Sequence, residues 1–295
     1  MAFRSGFVTV VGRPNVGKST LVNALVGQKV SIVTDRPQTT RARIHGVRTT
    51  EEHQLVFTDT PGFHKPRTAL GRRLNRMVEE GVAEADAIML VVDAHAGVGR
   101  GDEFVARTQV APRRGLKVCA VNKIDRVGDG ELIRQLEAAA RLAEFGHVVP
   151  VSARTGKNLE ELLAVLEGAA TEGPAFFPPG QVTDQPLEFR IAEVVREKAL
   201  AATREEVPHS IAVQVEELDR DEDRDLVRIH AVVLVERDSQ KGIVIGKGGQ
   251  MLKRIGSLAR KELEGLLGAR VYLELRVKVQ REWQRDPAAL TRLGY

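Results

Sequence analysis

The sequence predicts two domains in series: an α/β domain with a mostly parallel sheet and helices on both faces, then a small α+β domain. Three observations carry this reading. Over the first 170 residues, short Val/Ile-rich runs alternate with helix-length segments. The stretch Thr171–Pro186, "TEGPAFFPPGQVTDQP", then breaks both periodicities with its prolines and glycines. Beyond it the order of elements changes. The expected boundaries are 1–171 for the first domain, 172–186 for a linker, 187–280 for the second domain and 281–295 for a tail. At 295 residues the chain is long enough for two domains of ~100–200 residues each.

In the first domain, strands are expected at Phe7–Val11, Gln54–Thr58, Ala87–Val92, Leu116–Val121 and His147–Val151. Helices are expected near Lys18–Val26, Thr68–Glu80, Asp102–Ala111, Glu131–Ala143 and Leu159–Ala169. Such alternation gives an open sheet whose ligands bind at the carboxyl ends of the strands. In the linker, Phe176 and Phe177 are expected to pack against one domain. The second domain begins with a helix at Glu188–Ala202, where Ile191, Val194, Val195 and Lys198 have helical spacing. The segments "HSIAVQVEEL" and "DLVRIHAVVLVER" alternate as strands around the acidic turn "DRDEDR". A glycine loop, a long helix at Gln250–Leu267 and a third strand, "RVYLELRVKV", complete the order. No internal repeat is present.

Composition narrows the class. Hydrophobic residues make up 42% of the chain, ordinary for packed cores. No apolar run reaches the ~18 residues of a membrane span. The start, "MAFRSGFVTVVG", reads as a strand rather than a signal peptide. The single cysteine, Cys119, lies in the apolar run "LKVCAV", where a buried thiol is expected. A cytoplasmic location is the expectation. Net charge is +4 but unevenly spread. Residues 184–236 hold seven Lys/Arg against fourteen Asp/Glu, whereas residues 237–285 hold twelve against five. That separation suits a polyanion-binding surface on the basic part.

"GRPNVGKS", Gly12–Ser19, fits G-x-x-x-x-G-K-[ST] between a strand and a helix, the pattern of an α/β P-loop NTPase. Glycines let successive N–H groups of Gly12, Arg13, Pro14, Asn15, Val16 and Gly17's neighbourhood curl toward a phosphate, and the helix N-terminus adds partial positive charge (Pro14 itself has no N–H). Lys18 supplies a point charge to the β- and γ-phosphates, Ser19 a hydroxyl to Mg²⁺, and Thr20 follows in the first helical turn. "DTPG", Asp59, Thr60, Pro61 and Gly62, ends a strand. Asp59 can hold Mg²⁺ through water, and the Gly62 N–H can reach the γ-phosphate. "NKID" offers Asn122 to tie its loop to the phosphate loop, a Lys123 stem to lie on the base, and Asp125 to accept two hydrogen bonds from guanine. Adenine would leave that carboxylate unpaired. "SARTG" adds Ser152, Ala153 and Arg154, with the Ala153 N–H positioned for guanine O6.

Four such elements in order resemble the translation-factor-like class of P-loop GTPases. The resemblance implies a threonine that closes over Mg²⁺ and the γ-phosphate. "QTTR" offers Thr39 and Thr40, of which Thr40 is favoured. Lys29–Arg41 would then be the first switch and Phe63–Gly71 the start of the second. The implied Mg²⁺ set is Ser19, Thr40 and Asp59, and the implied catalytic set is Lys18, Thr40 and Gly62. Many small GTPases carry a glutamine after the glycine of "DxxG". Phe63 stands there and cannot orient water, which keeps open a second reading: an RNA-binding module with an inactive nucleotide site. Asn15 resembles relatives that recruit K⁺ beside the phosphates.

"GKGG", Gly246–Gly249, is not a second nucleotide loop, because it has only two residues between its outer glycines and no Lys-Ser/Thr after them. Its G-x-x-G pattern and the order of elements look like a type II KH domain, which clamps about four nucleotides of a single strand. Lys241, Lys247, Lys253 and Arg254 surround Gly246, Gly248 and Gly249 with positive charge. Ile243, Val244, Ile245 and Leu252 are the expected apolar wall for bases.

One GTPase domain, a short linker and a KH domain with an intact G-x-x-G together resemble the bacterial Era family of GTPases over nearly the whole chain. The resemblance implies GTP/GDP as ligands, slow GTP hydrolysis, and binding near the 3′ end of 16S ribosomal RNA. It also implies a role in pre-30S assembly, weak association with the inner face of the cell membrane, and a monomer. GTP state and RNA affinity are expected to be linked reciprocally.

Overall fold

A computed structural model describes residues 2–36, 39–63, 66, 69–203 and 207–295, apart from the His209 side chain. Of the two expected switches, Pro37 and Gln38 in the first and His64, Lys65, Arg67 and Thr68 in the second lie outside the described residues. The chain divides into two compact units between Asp184 and Gln185.

The first unit runs β1 (Arg4–Val11), α1 (Lys18–Val26), β2 (Ile44–Thr49), β3 (His53–Asp59), α2 (Ala69–Ala83), β4 (Ala87–Asp93), α3 (Arg100–Val105), β5 (Leu116–Asn122), α4 (Asp129–Ala140), β6 (His147–Pro150), α5 (Leu159–Leu166) and β7 (Thr171–Glu172). The sheet order is β2-β3-β1-β4-β5-β6, with β7 beside β1. β3, β1, β4, β5 and β6 pair in parallel, while β2 and β7 pair antiparallel. Strands β3 and β4 are buried at every residue. This explains why they read as continuous apolar runs rather than alternating ones. One core packs Leu21, Leu25 and Leu162 against Val8, Val10 and Met89; the other packs Val78, Val105 and Ala139 against Ile88, Leu90 and Val121. Helix α3 continues as a single π-turn at Ala106–Val110.

Edge strand β2 is absent from the sequence expectation. Its "IHGVRT" contains a glycine and mixes polar with apolar positions, so no strong period marks it. Tertiary hydrogen bonds make it a strand: it pairs with β3 along six positions, and its outer edge is covered by a bridge between Gly46 and Thr183. The linker stretch therefore lies on the first unit. Phe176 packs on Phe7 with ring centroids 4.6 Å apart. The fully buried Gln54 accepts the N–H groups of Phe176 and Phe177 at 2.8 and 2.9 Å and donates to the Phe177 carbonyl at 2.9 Å.

The second unit runs α6 (Leu187–Ala202), β8 (Ala212–Asp221), β9 (Leu226–Val235), α7 (Asp238–Ile245), α8 (Gln250–Leu267), β10 (Arg270–Val279) and α9 (Pro287–Arg292). Its sheet order is β10-β9-β8, with β10 parallel and β8 antiparallel to β9. Helix α6 packs on β8 and α8, and α8 packs on β10. Ile255, Ala259 and Leu263 form the buried stripe of α8 at intervals of four residues. The expected order placed the glycine loop directly after the second strand. Helix α7 stands between them, hidden in the sequence by Gly242 and by three consecutive β-branched residues that favour strand. The segment after β10 is also ordered. Trp283 is fully buried and donates its indole N–H to the Ser210 carbonyl at 3.0 Å, and Asp286 caps α9.

Candidate functional site

The four nucleotide motifs sit on loops at the carboxyl ends of β1, β3, β5 and β6, along one edge of the sheet. Side chains join these loops. Asn122 donates from Nδ2 to the Val16 carbonyl at 3.0 Å and accepts the Ala153 N–H on Oδ1 at 3.0 Å. One amide thus ties the phosphate loop to both loops at the far side. Lys123 reaches across the same gap, donating to the Asn15 carbonyl at 2.7 Å and to Asp93 Oδ2 at 2.6 Å. Burial of Asp93 opposes its ionisation, but Lys123 and the Ala96 and His95 N–H groups outweigh it and hold the carboxyl below its ordinary range. The Thr60 hydroxyl donates to the Val10 carbonyl at 2.6 Å, and the Phe63 N–H donates to Gly12 O at 3.3 Å. Pro14 lies so close to Gly62 that a Cβ there would sit 2.8 Å from its ring.

Inside the phosphate loop, Lys18 is buried and donates to the carbonyls of Gly12 and Arg13 at 3.1 Å each. Burial pushes its ammonium down to about 8, with Asp59 opposing. Ser19 Oγ and Thr40 Oγ1 are 2.9 Å apart, and Thr40 donates to Asp59 Oδ2 at 3.4 Å. Thr39 instead bonds within its own loop, 2.6 Å from the Thr34 hydroxyl and 2.7 Å from the Arg36 carbonyl. Thr40 is the threonine on the Ser19–Asp59 side. Burial raises the Asp59 carboxyl, against hydrogen bonding from Ser19 and the charge of Lys18. Its Oδ1 is buried and has no hydrogen-bond partner among the described residues. Two hydroxyls and a carboxylate with a spare oxygen fit a hard, oxygen-seeking cation such as Mg²⁺. An Mg²⁺ ion there would be shared with substrate phosphates, since it usually takes only one or two carboxylates from a protein.

At the base end, Asp125 accepts from the Ser152 hydroxyl at 2.7 Å on Oδ1 and pairs with Arg154 at 2.7 Å on Oδ2. Ser152, then Arg154, holds the Asp125 carboxyl below its ordinary range. The Arg154 side chain is 75% exposed, so it can leave Oδ2 for a base.

Phe63 points elsewhere. It is 6% exposed and stacks on Phe104 with centroids 5.5 Å apart, inside the core between the sheet and α3. Arg13 also departs from expectation. Its side chain turns from the phosphate pocket to Asp102, with both carboxylate oxygens 3.0 Å from Nε, and to the Gly97 carbonyl at 3.0 Å. Asn15 donates to the Asp35 carbonyl at 3.1 Å. The pocket is lined by Pro14, Asn15, Gly17, Lys18, Ser19 and Thr20, by Ile32, Val33, Thr34, Arg36, Thr39 and Thr40, and by Gly62.

In the second unit, Gly246–Gly249 joins α7 to α8, and the Lys247, Lys253 and Arg254 side chains are exposed. Ile243 is 49% exposed and Ile245 and Lys241 are half-buried. Val244 is fully buried and cannot serve as a wall for bases. A groove beside the loop is instead lined by Leu252, Lys253, Gly256, Ser257 and Arg260 of α8 and by Leu273 and Leu275 of β10. The α8 members recur at helical spacing from Gly249, a signal the sequence carried; the β10 members come from sheet pairing.

A family model described as "50S ribosome-binding GTPase" matches residues 7–123, and a KH domain model matches residues 206–284. The GTPase Era of Mycobacterium sp. (strain JLS) is 52% identical over 297 residues, covering 99% of this chain and 99% of that protein. The chain belongs to the Era family of GTPases. The Era of Mycolicibacterium smegmatis is 50% identical with the same coverage. Among solved structures, a crystal structure of Era in complex with MgGDPNP and nucleotides 1506–1542 of 16S ribosomal RNA is 40% identical, covers 99% of each chain and has a TM-score of 0.95. An Aquifex aeolicus Era variant bound to GDP·AlF4⁻ matches with the same values. The α/β P-loop domain and the KH domain that follows it are those of this family.

Proposed function

We propose that this Era-family GTPase binds Mg²⁺ and GTP at the edge built by Gly12–Ser19, Asp59–Gly62, Asn122–Asp125 and Ser152–Arg154. It hydrolyses GTP slowly, and its KH domain binds small-subunit ribosomal RNA near the 3′ end during subunit assembly. The observation that carries the nucleotide half is the Asn122 amide, which joins the phosphate loop to the base loops. The RNA half is supported by the G-x-x-G loop with its exposed lysines and by the Era relative bound to a 16S segment.

Each residue has a role that follows from its chemistry. Lys18 exchanges two carbonyl partners for phosphate oxygens and stabilises charge that grows during transfer. Asp125 accepts two guanine N–H donors once Arg154 moves aside, and Ser152 keeps its other oxygen oriented. Ser19, Thr40 and Asp59 would hold Mg²⁺, which neutralises phosphate charge when bound. Phe63 plays no part in positioning water, since its ring is in the core; backbone groups of Thr40 and Gly62 remain to orient the attacking water. Hydrolysis without RNA is slow for that reason.

Asn15 supports a K⁺ beside the phosphates, and equal turnover in potassium and sodium buffers removes that part of the reading. Single-turnover GTP hydrolysis separates the enzyme from an inactive nucleotide-binding module. Crosslinking to cellular RNA with nucleotide-resolution mapping tests the RNA half. An enriched site at the small-subunit RNA 3′ end is expected, and a scatter over messenger RNAs overturns it. The same cells, fractionated, test the proposed cytoplasmic pool on pre-30S particles and weak membrane association; none of the described helices is long and apolar enough to cross a membrane.

A further inference from the structure

The stretch between β4 and α3 belongs to none of the four nucleotide motifs, yet it holds the phosphate loop at two points. It begins with Asp93, the last residue of β4. Asp93 Oδ1 accepts the N–H groups of His95 and Ala96 at 2.9 and 3.1 Å, and the Asp93 carbonyl accepts the Gly97 N–H at 3.0 Å. These bonds fix the carboxylate on its own turn and leave Oδ2 for Lys123 Nζ, 2.6 Å away. The two side chains are 7% and 25% exposed, so solvent ions screen the pair less than they would at the surface.

Lys123 passes this restraint to the phosphate loop, because its ammonium also donates to the Asn15 carbonyl at 2.7 Å. Asn15 and Lys123 both have a φ of +66°, a backbone that is costly for a residue with a Cβ and persists where its surroundings over-determine it. A flexible lysine on one carbonyl is a loose restraint. An ammonium shared between that carbonyl and a fixed carboxylate is a strut. The peptide is planar and trans, so fixing the Asn15 carbonyl also fixes the Val16 N–H on its far side. The second hold is at the start of the loop. Asp102, fully buried in α3, accepts the Gly99 N–H at 3.0 Å and has both oxygens 3.0 Å from Arg13 Nε. Arg13 also donates to the Gly97 carbonyl at 3.0 Å, and Gly101 leaves room for its stem: a Cβ there would sit 3.4 Å from Arg13 Cδ.

We propose that Asp93 and Asp102 are positioning residues for nucleotide binding. Through Lys123 and Arg13 they hold the phosphate loop in shape before the ligand arrives, so that its N–H groups need no reorganisation to meet phosphate. This rests on the reading of the loop as a nucleotide site. It makes residues 93–102 a further element of that site, one that no motif marks.

The test uses the full chain, a fluorescent N-methylanthraniloyl GDP with Mg²⁺, and amine acetylation mapped by mass spectrometry on the nucleotide-free protein. The unsubstituted protein binds the probe; no binding overturns the nucleotide-site reading and this proposal with it. Asp93→Asn keeps an oxygen for the His95 and Ala96 N–H groups but turns an amide toward Lys123. Its dissociation constant for the probe rises about 10-fold, the loss of a hydrogen bond between charged groups. Lys123 then acetylates several-fold faster, while buried Lys18 stays as slow as before, because only the strut is cut. Asp102→Asn also weakens binding but leaves Lys123 acetylation unchanged, since it acts through Arg13. Should that variant not fold, Arg13→Lys takes its place, keeping the charge without the forked geometry. Unchanged probe affinity at either hold overturns the proposal. Affinity that falls in Asp93→Asn without faster Lys123 acetylation, or in either variant with faster Lys18 acetylation, makes the aspartates packing residues, and the proposal fails.

Discussion

The two glycine loops of this protein solve different problems with the same residue. At Gly17 the difficulty is space as well as backbone. Its φ is +98°, and a Cβ would sit 2.4 Å from Asn122 Nδ2. The first loop is locked into the protein by Lys18, Asn122 and Lys123, and its glycines make room for those partners. At Gly248 the φ is +58°, but a Cβ would meet nothing within 4 Å. Here the glycine serves the backbone conformation and leaves the space outside empty. A loop braced on all sides suits a compact ligand that must be held in one geometry. A loop open to solvent suits a strand's backbone passing over it.

The largest expected effect strikes the braced loop. Gly17→Ala combines a left-handed backbone with displacement of the Asn122 amide, so the junction of three loops comes apart. Nucleotide binding is lost to the detection limit of a fluorescent GDP titration, while the variant keeps the RNA affinity of the nucleotide-free protein. Retained GDP binding would show that the bracing is dispensable. Asp125→Asn comes next. It keeps the shape but replaces a double acceptor with a group that also donates. GTP affinity falls on the order of 10³-fold or more, as for a site left with mismatched buried polar groups. Xanthine nucleotides bind better than GTP to this variant; continued preference for GTP would remove Asp125 from base recognition.

Gly248→Asp probes the open loop. Asp tolerates a left-handed backbone better than most residues, and the space around it is empty, so the domain folds. Its charge then faces the phosphates. RNA affinity falls about 10–100-fold from the like-charge contact, while RNA-free GTP hydrolysis is unchanged. An RNA affinity that survives would place the nucleic acid away from G-x-x-G.

The same contrast explains what was legible in the sequence. The braced loop announces itself because chemistry fixes residue types at fixed spacing: Lys18 and Ser19 follow Gly17 directly, and Asn122, Lys123 and Asp125 share one short motif. Strands β3, β4 and β5 were legible because burial on both faces leaves an apolar run. What stayed hidden depends on partners far along the chain. Edge strand β2 exists through its pairing with β3 and the linker. Arg13 turns to Asp102, 89 residues away, and no local pattern reveals that choice. Asn23 is an ordinary polar residue until the fold brings the backbone of Val30 and Ser31 onto its amide. Phe63 was legible as a departure from a motif, but only its stacking on Phe104 shows that the ring is withdrawn. In the second unit, three consecutive β-branched residues concealed α7, and helix packing overrode their preference.

The smallest effect sharpens the picture of the open loop. Lys253 is exposed on the first turns of α8 and lines the groove beside G-x-x-G. If its ammonium meets a phosphate, Lys253→Ala weakens binding evenly across RNA sequences. It also reduces the slope of log affinity against log salt by about 0.7, the value for one contact to a single strand. If instead its methylene stem covers a base against Leu252 and Leu275, the substitution changes sequence preference and leaves the slope alone. The braced loop has no such ambiguity, because Lys18 is buried, held on the Gly12 and Arg13 carbonyls, and lines one pocket. For an exposed cation the contact is decided by the ligand's path, and the salt slope reads that path directly.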